Sequence, residues 1–451
     1  MLEIVRTVFA INQSFPLSPY VDKHYFALQH NLASSGWPLG PSVREPMLYD
    51  AYQAQQDLLA PLRAGATFFH TAMGQTWFGP GTNFVLKSMA AAAEIVARSR
   101  MIHERPGYNL GSVVADGQTL PVREEVALAL PFGNLVHFRK EVAARQPRVL
   151  IVAPMAGHFP TLLRQTAETM LADHDVFITD WKSARDVPVA AGRFGTDEYI
   201  DYLIRFLEEI GSGAHVLAVC QPCAAVLAAA SVMAMDKNPA TPRSLTLMAG
   251  PVDTRINPTR VNELATAHSI GWFAENLISA VPARYAGAGR HVYPGFLQLT
   301  AFMTMNMSRH VRAHLDLFSH IVRGEDDEAN ANRKFYDEYF SVADLAAEFY
   351  LETVRKVFQE HHLPRGVFSY RGRIVDPSAL HDTSLLTVEG ERDDVCGLGQ
   401  TLAAHDLCRG IKPFRKKHFV QAGAGHYGVF SGKRWTTQIY PMVKNIILAS
   451  E

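Results

Sequence analysis

His215-Val216-Leu217-Ala218-Val219-Cys220-Gln221-Pro222-Cys223, followed by the apolar run Ala224 to Ala234, is the stretch on which the reading of this chain turns. The apolar run ahead of Cys220 predicts a buried strand, and the alanine-rich run after it predicts a helix. A strand that bends sharply into a helix holds one side chain above the sheet edge, with the helix's first N–H groups aimed at it. Cysteine stands there in place of the usual serine, and a thiol so placed loses its proton more readily than a free one. The backbone folds back on itself at such a bend, so its flanks must be small. Ala218, two residues before Cys220, meets that demand; Pro222 fits less well than glycine would, although its fixed φ suits an early helical position. The competing reading is a buried structural cysteine, which is what most cysteines are.

Outward from this stretch, short apolar runs alternate with helix-like segments. Strands are predicted at Val149 to Ala153, Val176 to Thr179, His215 to Val219 and Leu245 to Ala249, with helices near Leu162 to Leu171, Tyr199 to Ile210 and Ala224 to Met235. Such alternation means parallel βαβ units with right-handed crossovers. Upstream, Val113-Val114, a turn at Asp116-Gly117, and runs through Val126 and Leu135 to Phe138 predict antiparallel strands that open the sheet. Residues 1–107 show helix-like spacing and many aromatics (Phe26, Trp37, Phe68, Phe69, Trp77, Phe78), broken at Gly40-Pro41 and Gly79-Pro80, and read as a helical accessory segment. Residues 108–250 then form the first part of the core. Residues 251–380 read as a mainly helical insertion placed as lids usually are, and 381–451 complete the core with strands at Ser384 to Val388 and Phe414 to Gln421 and a helix near Trp435 to Ala449.

Size and composition support this reading. A chain of 451 residues with 48% apolar content has ample core for a large α/β domain with insertions. A formal net charge of −1 excludes the basic footprint of a nucleic-acid binder. Met1-Leu2-Glu3-Ile4-Val5-Arg6 lacks the basic start and long apolar core expected of a secretory leader, no apolar stretch approaches roughly 18 uninterrupted residues, and a chain that does not span a membrane is expected. Four cysteines in so long a chain make no disulfide framework, which fits a reducing, cytoplasmic setting.

A cysteine nucleophile needs a base and a carboxylate to orient it, and in the α/β-hydrolase order they follow as acid, then histidine. The strand Leu385-Leu386-Thr387-Val388 runs into Glu389-Gly390-Glu391-Arg392-Asp393-Asp394, so Asp393 and Asp394 are both eligible. The next strand runs into Gly423-Ala424-Gly425-His426-Tyr427-Gly428, which supplies His426. All three residues fall at carboxyl ends of predicted strands, where open α/β sheets bind ligands. The backbone N–H of Gln221 and one from Pro154-Met155-Ala156-Gly157-His158, with Met155 the choice, are the expected oxyanion donors.

Rival patterns are weaker. Cys220-Gln221-Pro222-Cys223 is also a C-x-x-C at a strand-to-helix junction, as in thioredoxin-like redox pairs, but the flanking strand–helix order continues as a hydrolase sheet. Gly423-x-Gly425-x-x-Gly428 matches a dinucleotide fingerprint with too little chain after it for the required βαβ unit. Ala267-His268-Ser269-Ile270-Gly271 imitates a serine elbow without a buried strand before it, and Ser269 reads as lid surface. His310 and His314 share a helix face without the H-E-x-x-H pattern, so a solvated face is favoured over a metal site.

With these residues in place, the chain resembles the intracellular polyhydroxyalkanoate (polyhydroxybutyrate, PHB) depolymerases from about Gly111 onward. The resemblance is carried by Val219-Cys220-Gln221-Pro222, Ala249-Gly250-Pro251-Val252-Asp253, Arg290-His291-Val292-Tyr293-Pro294-Gly295-Phe296-Leu297-Gln298, Phe335-Tyr336-Asp337-Glu338-Tyr339, Val388-Glu389-Gly390-Glu391-Arg392-Asp393-Asp394 and Gly425-His426-Tyr427-Gly428-Val429-Phe430-Ser431-Gly432. It implies an α/β-hydrolase fold, Cys220 as nucleophile, Asp393 rather than Asp394 as acid, and His426 as base. The implied substrate is a short-chain 3-hydroxyacyl polyester on a cytoplasmic granule. No metal or resident cofactor is expected; water or coenzyme A could accept the acyl group, and a homo-oligomer is left open. A polyhydroxyalkanoate synthase-type acyltransferase and a non-cutting granule-coat protein are the alternatives. The synthase would favour glycine where Ala218 and Pro222 stand.

Overall fold

Eight strands form one sheet in the computed structural model, which describes residues 45–76, 84–115, 117–142, 145–305 and 307–451. In chain order they are β1 (Arg123–Leu130), β2 (Gly133–Arg139), β3 (Arg148–Val152), β4 (Asp175–Trp181), β5 (His215–Val219), β6 (Ser244–Met248), β7 (Ser384–Gly390) and β8 (Lys416–Gln421). Their spatial order is β1-β2-β4-β3-β5-β6-β7-β8. β1 pairs antiparallel with β2, and β2 with β4; every pairing from β4 through β8 is parallel. This is the sheet of an α/β-hydrolase.

The middle strands read as unbroken apolar runs because both faces are covered. Every residue of β5, β6 and β7 is buried. Beyond α3 (Arg164–Leu171), two helices show how the sequence sets the layers. α4 (Thr196–Ile210) is amphipathic: Tyr199, Ile200, Leu203, Phe206, Leu207 and Ile210 are buried, and Glu198 reaches back to the Gly195 N–H at 2.8 Å to start it. α5 (Cys223–Met235) is apolar on all sides and correspondingly sunk in the core. Between α4 and the sheet lies an aromatic cluster, with Trp181 stacked on Tyr199 at 4.7 Å and Phe132 on Phe194 at 4.4 Å. Each such side chain contributes about 1.5–3 kcal/mol by leaving water.

Registers bring the strand ends level. Val152 pairs with Ala218, Val219 with Met248, Met248 with Val388, and Gly390 with Gln421. The loops after β3, β5, β6, β7 and β8 therefore leave from one edge, and they carry Met155, Cys220, Gly250, Asp393 and His426.

One feature departs from the sequence reading and two add to it. The expected opening strand at Val113-Val114 stays out of the main sheet: Ser112–Ala115 and Gln118–Pro121 pair only with each other. The insertion is not helical throughout, since Ser279–Ala280, His291–Tyr293 and Leu345–Ala346 make a small antiparallel sheet. Strands of two or three residues leave no periodicity to read. Third, the described residues divide into two units, those from 45 to 100 with Phe296–Lys334, and Met101–Gly295 with Phe335–Glu451, so the insertion contributes to both. In the first unit, Glu94 of α2 (Phe84–Arg98) is buried and bonds Arg98 at 2.9 Å and Arg333 at 2.5 and 2.7 Å. Tyr52 of α1 (Glu45–Thr76) stacks on Phe296 at 3.9 Å. Phe26, Trp37, Gly40-Pro41, Trp77, Phe78, Gly79-Pro80 and Asp116 lie outside the described residues.

Candidate active site

Cys220 sits between β5 and α5 with φ of 66°, a left-handed conformation that a non-glycine residue adopts at a cost of about 1–2 kcal/mol. The surroundings hold it there. Its N–H donates to the Met248 carbonyl at 2.8 Å, and its own carbonyl accepts from the Cys223 N–H at 3.2 Å. Room for the bend comes from Ala218 and, unforeseen in the sequence reading, from Gly250. A Cβ at position 250 would stand 2.1 Å from Cys223 Sγ and 2.7 Å from the Cys220 carbonyl oxygen. Gly250→Ala is accordingly expected to destabilise the fold by about 1–3 kcal/mol or more, read as a lowered Tm.

Of the four cysteines, Cys220 alone is half-exposed. Cys223 turns its thiol inward, toward the Ala218 and Met248 carbonyls at 3.5 and 3.7 Å, and burial pushes its pKa up. Burial likewise pushes the Cys408 thiol up to about 12 and the Cys396 thiol well above the ordinary value. One thiol faces outward and its C-x-x-C neighbour does not.

His426 opens a short helical turn after β8 and is 7% exposed. Its Nδ1 bonds Asp393 Oδ2 at 2.8 Å, and the Cys220 sulfur lies near enough to act on the ring electrostatically. Burial alone would lower the imidazole pKa. The Cys220 sulfur and the Asp393 carboxylate outweigh it and hold the group well above its ordinary value. The ring is boxed edge-on by Phe430 at 5.7 Å and Tyr427 at 5.9 Å.

Asp393 is fixed on both oxygens. Oδ1 accepts the Val395 and Cys396 N–H groups at 2.9 Å each while Oδ2 holds His426, and the side chain is 1% exposed. Asp394, the other eligible carboxylate, is exposed. Glu389, which the sequence reading passed over, is buried at the end of β7 and accepts the N–H groups of Gly399, Thr401 and Leu402 at 2.9, 2.8 and 3.1 Å. It anchors the loop that follows Asp393. A buried carboxylate four residues from a candidate acid was its only sequence signal.

The two expected oxyanion donors lie on adjoining loops. Met155, after β3, is buried, and its N–H donates to Gln221 Oε1 at 3.2 Å. Nearby His158 is buried against Tyr339, with ring centroids 5.1 Å apart, and burial holds its pKa down to about 4.

The rival patterns resolve into local structure. Ser269 caps the helix Ile270–Leu277 by accepting the Trp272 N–H at 3.2 Å. His310 is buried rather than solvated, and His314 bonds its carbonyl at 2.9 Å. Among the described residues no cluster of His, Cys, Asp and Glu is suited to hold a metal, and no helix is long and apolar enough to cross a membrane.

Residues 249–451 match a family model described as PHB de-polymerase C-terminus. Over that part, a little under half of its length, the chain is similar to the PHB depolymerases, and its sheet has the α/β-hydrolase order. The match takes in Gly250, Glu389, Asp393 and His426 and begins beyond Cys220. No curated protein matches this chain. Solved structures similar to it include a candidate lipase of Acinetobacter baumannii AYE, 12% identical, covering 73% of this chain and 93% of that one with a TM-score of 0.39. The monoacylglycerol lipase of Paleococcus ferrophilus is 10% identical over 68% and 97% of the two chains, TM-score 0.39. A thermophilic esterase of Thermogutta terrifontis is 13% identical over 72% and 98%, TM-score 0.37.

Proposed function

We propose that the protein cleaves ester bonds of a stored short-chain 3-hydroxyacyl polyester, such as PHB, through Cys220, His426 and Asp393. The observation that carries this reading is a half-exposed thiol on a positive-φ bend, coupled electrostatically to a buried imidazole whose Nδ1 bonds Asp393 at 2.8 Å. His426 takes the Cys220 proton as the sulfur attacks the ester carbonyl, and later returns it to the leaving alkoxide. Asp393 fixes the tautomer and stabilises the imidazolium. The developing oxyanion is met by the N–H groups of Gln221 and Met155, each such donor being worth about 3 kcal/mol of barrier.

The product of this half-reaction is a 3-hydroxyacyl thioester, which water or the thiol of coenzyme A then resolves. Polyester rather than a soluble ester is supported by the family match and by an aromatic run beside the base: Phe335, 40% exposed, stacks on Tyr339 at 5.4 Å, which meets Tyr427 at 6.4 Å. Action at the surface of a cytoplasmic granule follows from that substrate. Incubation with amorphous PHB, with and without coenzyme A, tests the reading by product mass. Free 3-hydroxybutyrate in both arms means hydrolysis, 3-hydroxybutyryl-coenzyme A means thiolysis, and absence of either with intact polymer binding would leave a coat protein.

A further inference from the structure

The Met155 N–H is already filled by a carbonyl oxygen of the protein itself, Gln221 Oε1 at 3.2 Å. The loop does not depend on that bond for its shape. Ahead of Met155, the Ala153 N–H donates to Thr179 Oγ1 at 3.0 Å and the Ala153 carbonyl accepts from Trp181 Nε1 at 2.9 Å. Behind it, the Gly157 carbonyl accepts from the Ala343 N–H at 2.9 Å, and His158 forms a β-bridge with Val342. Both flanks are pinned by other elements, so the Gln221 bond reads as occupancy of a donor rather than as support for the loop. A carboxamide carbonyl is planar and accepts in its own plane, as an ester carbonyl does.

We propose that the Gln221 side chain is an internal stand-in for the substrate carbonyl, and that an ester must displace it to reach the oxyanion donors. The inference rests on the reading of Cys220 as nucleophile and deepens it by making Gln221 a specificity-determining residue. Ligands carrying an acceptor at the right place exchange one hydrogen bond for another. Ligands without one lose a bond on entry and are disfavoured. The apparent affinity for substrate is reduced by the fraction of molecules in which the donor is filled.

Gln221→Met and Gln221→Asn both remove the contact, the second by shortening the carboxamide by one methylene. Each retains the backbone N–H at 221. On a soluble 3-hydroxybutyrate dimer ester, KM is expected to fall about fivefold in both variants, the factor that one neutral hydrogen bond corresponds to. The readout is the split between the two constants: KM should fall by more than kcat changes, because the competition removed acts on the ground state. An unchanged or raised KM with a lowered kcat would overturn the proposal and make the contact a tie that orders the loop. Rapid quench followed by peptide mass separates this failure from that of the underlying reading. An acyl adduct on Cys220 with wild-type KM in the variants removes the stand-in role alone. No adduct on Cys220 removes the nucleophile and the stand-in together.

Discussion

Replacing Cys220 with alanine is expected to lower the release of 3-hydroxybutyrate from amorphous polyester by about ten-thousand-fold or more, since no other group at the elbow can form the covalent intermediate. The reference is Cys223→Ala. That thiol is buried and directed at the Ala218 and Met248 carbonyls, so its loss should cost about 1 kcal/mol of stability and leave most of the activity. Liquid chromatography of the released acid reads both. Full activity in Cys220→Ala would discard the nucleophile, and equal losses in the two variants would revive a paired-thiol chemistry. Iodoacetamide gives an independent check, because a thiol beside an imidazole held well above its ordinary pKa should alkylate at neutral pH far ahead of three buried ones.

Asp393→Asn should be nearly as severe, lowering kcat by about ten-thousand-fold with folding intact. An asparagine there can still accept the two loop N–H groups now bonded by Oδ1. Facing the ring, however, it removes the charge that balances an imidazolium and presents a neutral amide to Nδ1. Asp394→Asn, on an exposed neighbour, should change kcat by less than about twofold. The reverse ranking would transfer the acid's role to Asp394. Because the two positions are adjacent and carry the same side chain, sequence order alone left both eligible. The hydrogen bond to His426 is what separates them.

The sheet was legible because its strands are buried on both faces. Val149–Ala153, His215–Val219 and Leu245–Ala249 stand out as apolar runs between helical stretches, and their alternation dictates parallel pairing. Cys220, Asp393 and His426 were legible for a related reason: each lies just past such a run, where the registers of β5, β7 and β8 deliver it to one edge. What escaped notice depends on contacts between distant positions. Gly250 is small because Cys223, on another element, needs the space. Glu389 looks like one acid among several in an acidic loop, and only the fold shows three backbone N–H groups converging on it. The hairpin at 112–121 has strand composition, but composition does not say which strand it pairs with.

The association of Phe296–Lys334 with the N-terminal helices bears on how the chain is made. Glu94, on α2, leaves the ribosome long before Arg333, the more distant of the two arginines that bond it. Until then Glu94 has only the partners of its own stretch of chain, Arg98 and His70, and the N-terminal helices lack the part of their cover that Phe296–Lys334 supplies. Domains that emerge first ordinarily mature first. Here the helices of residues 45–98 gain their last cover from a stretch made about two hundred residues later, so that unit is expected to finish assembling only after the chain between its two parts has been made.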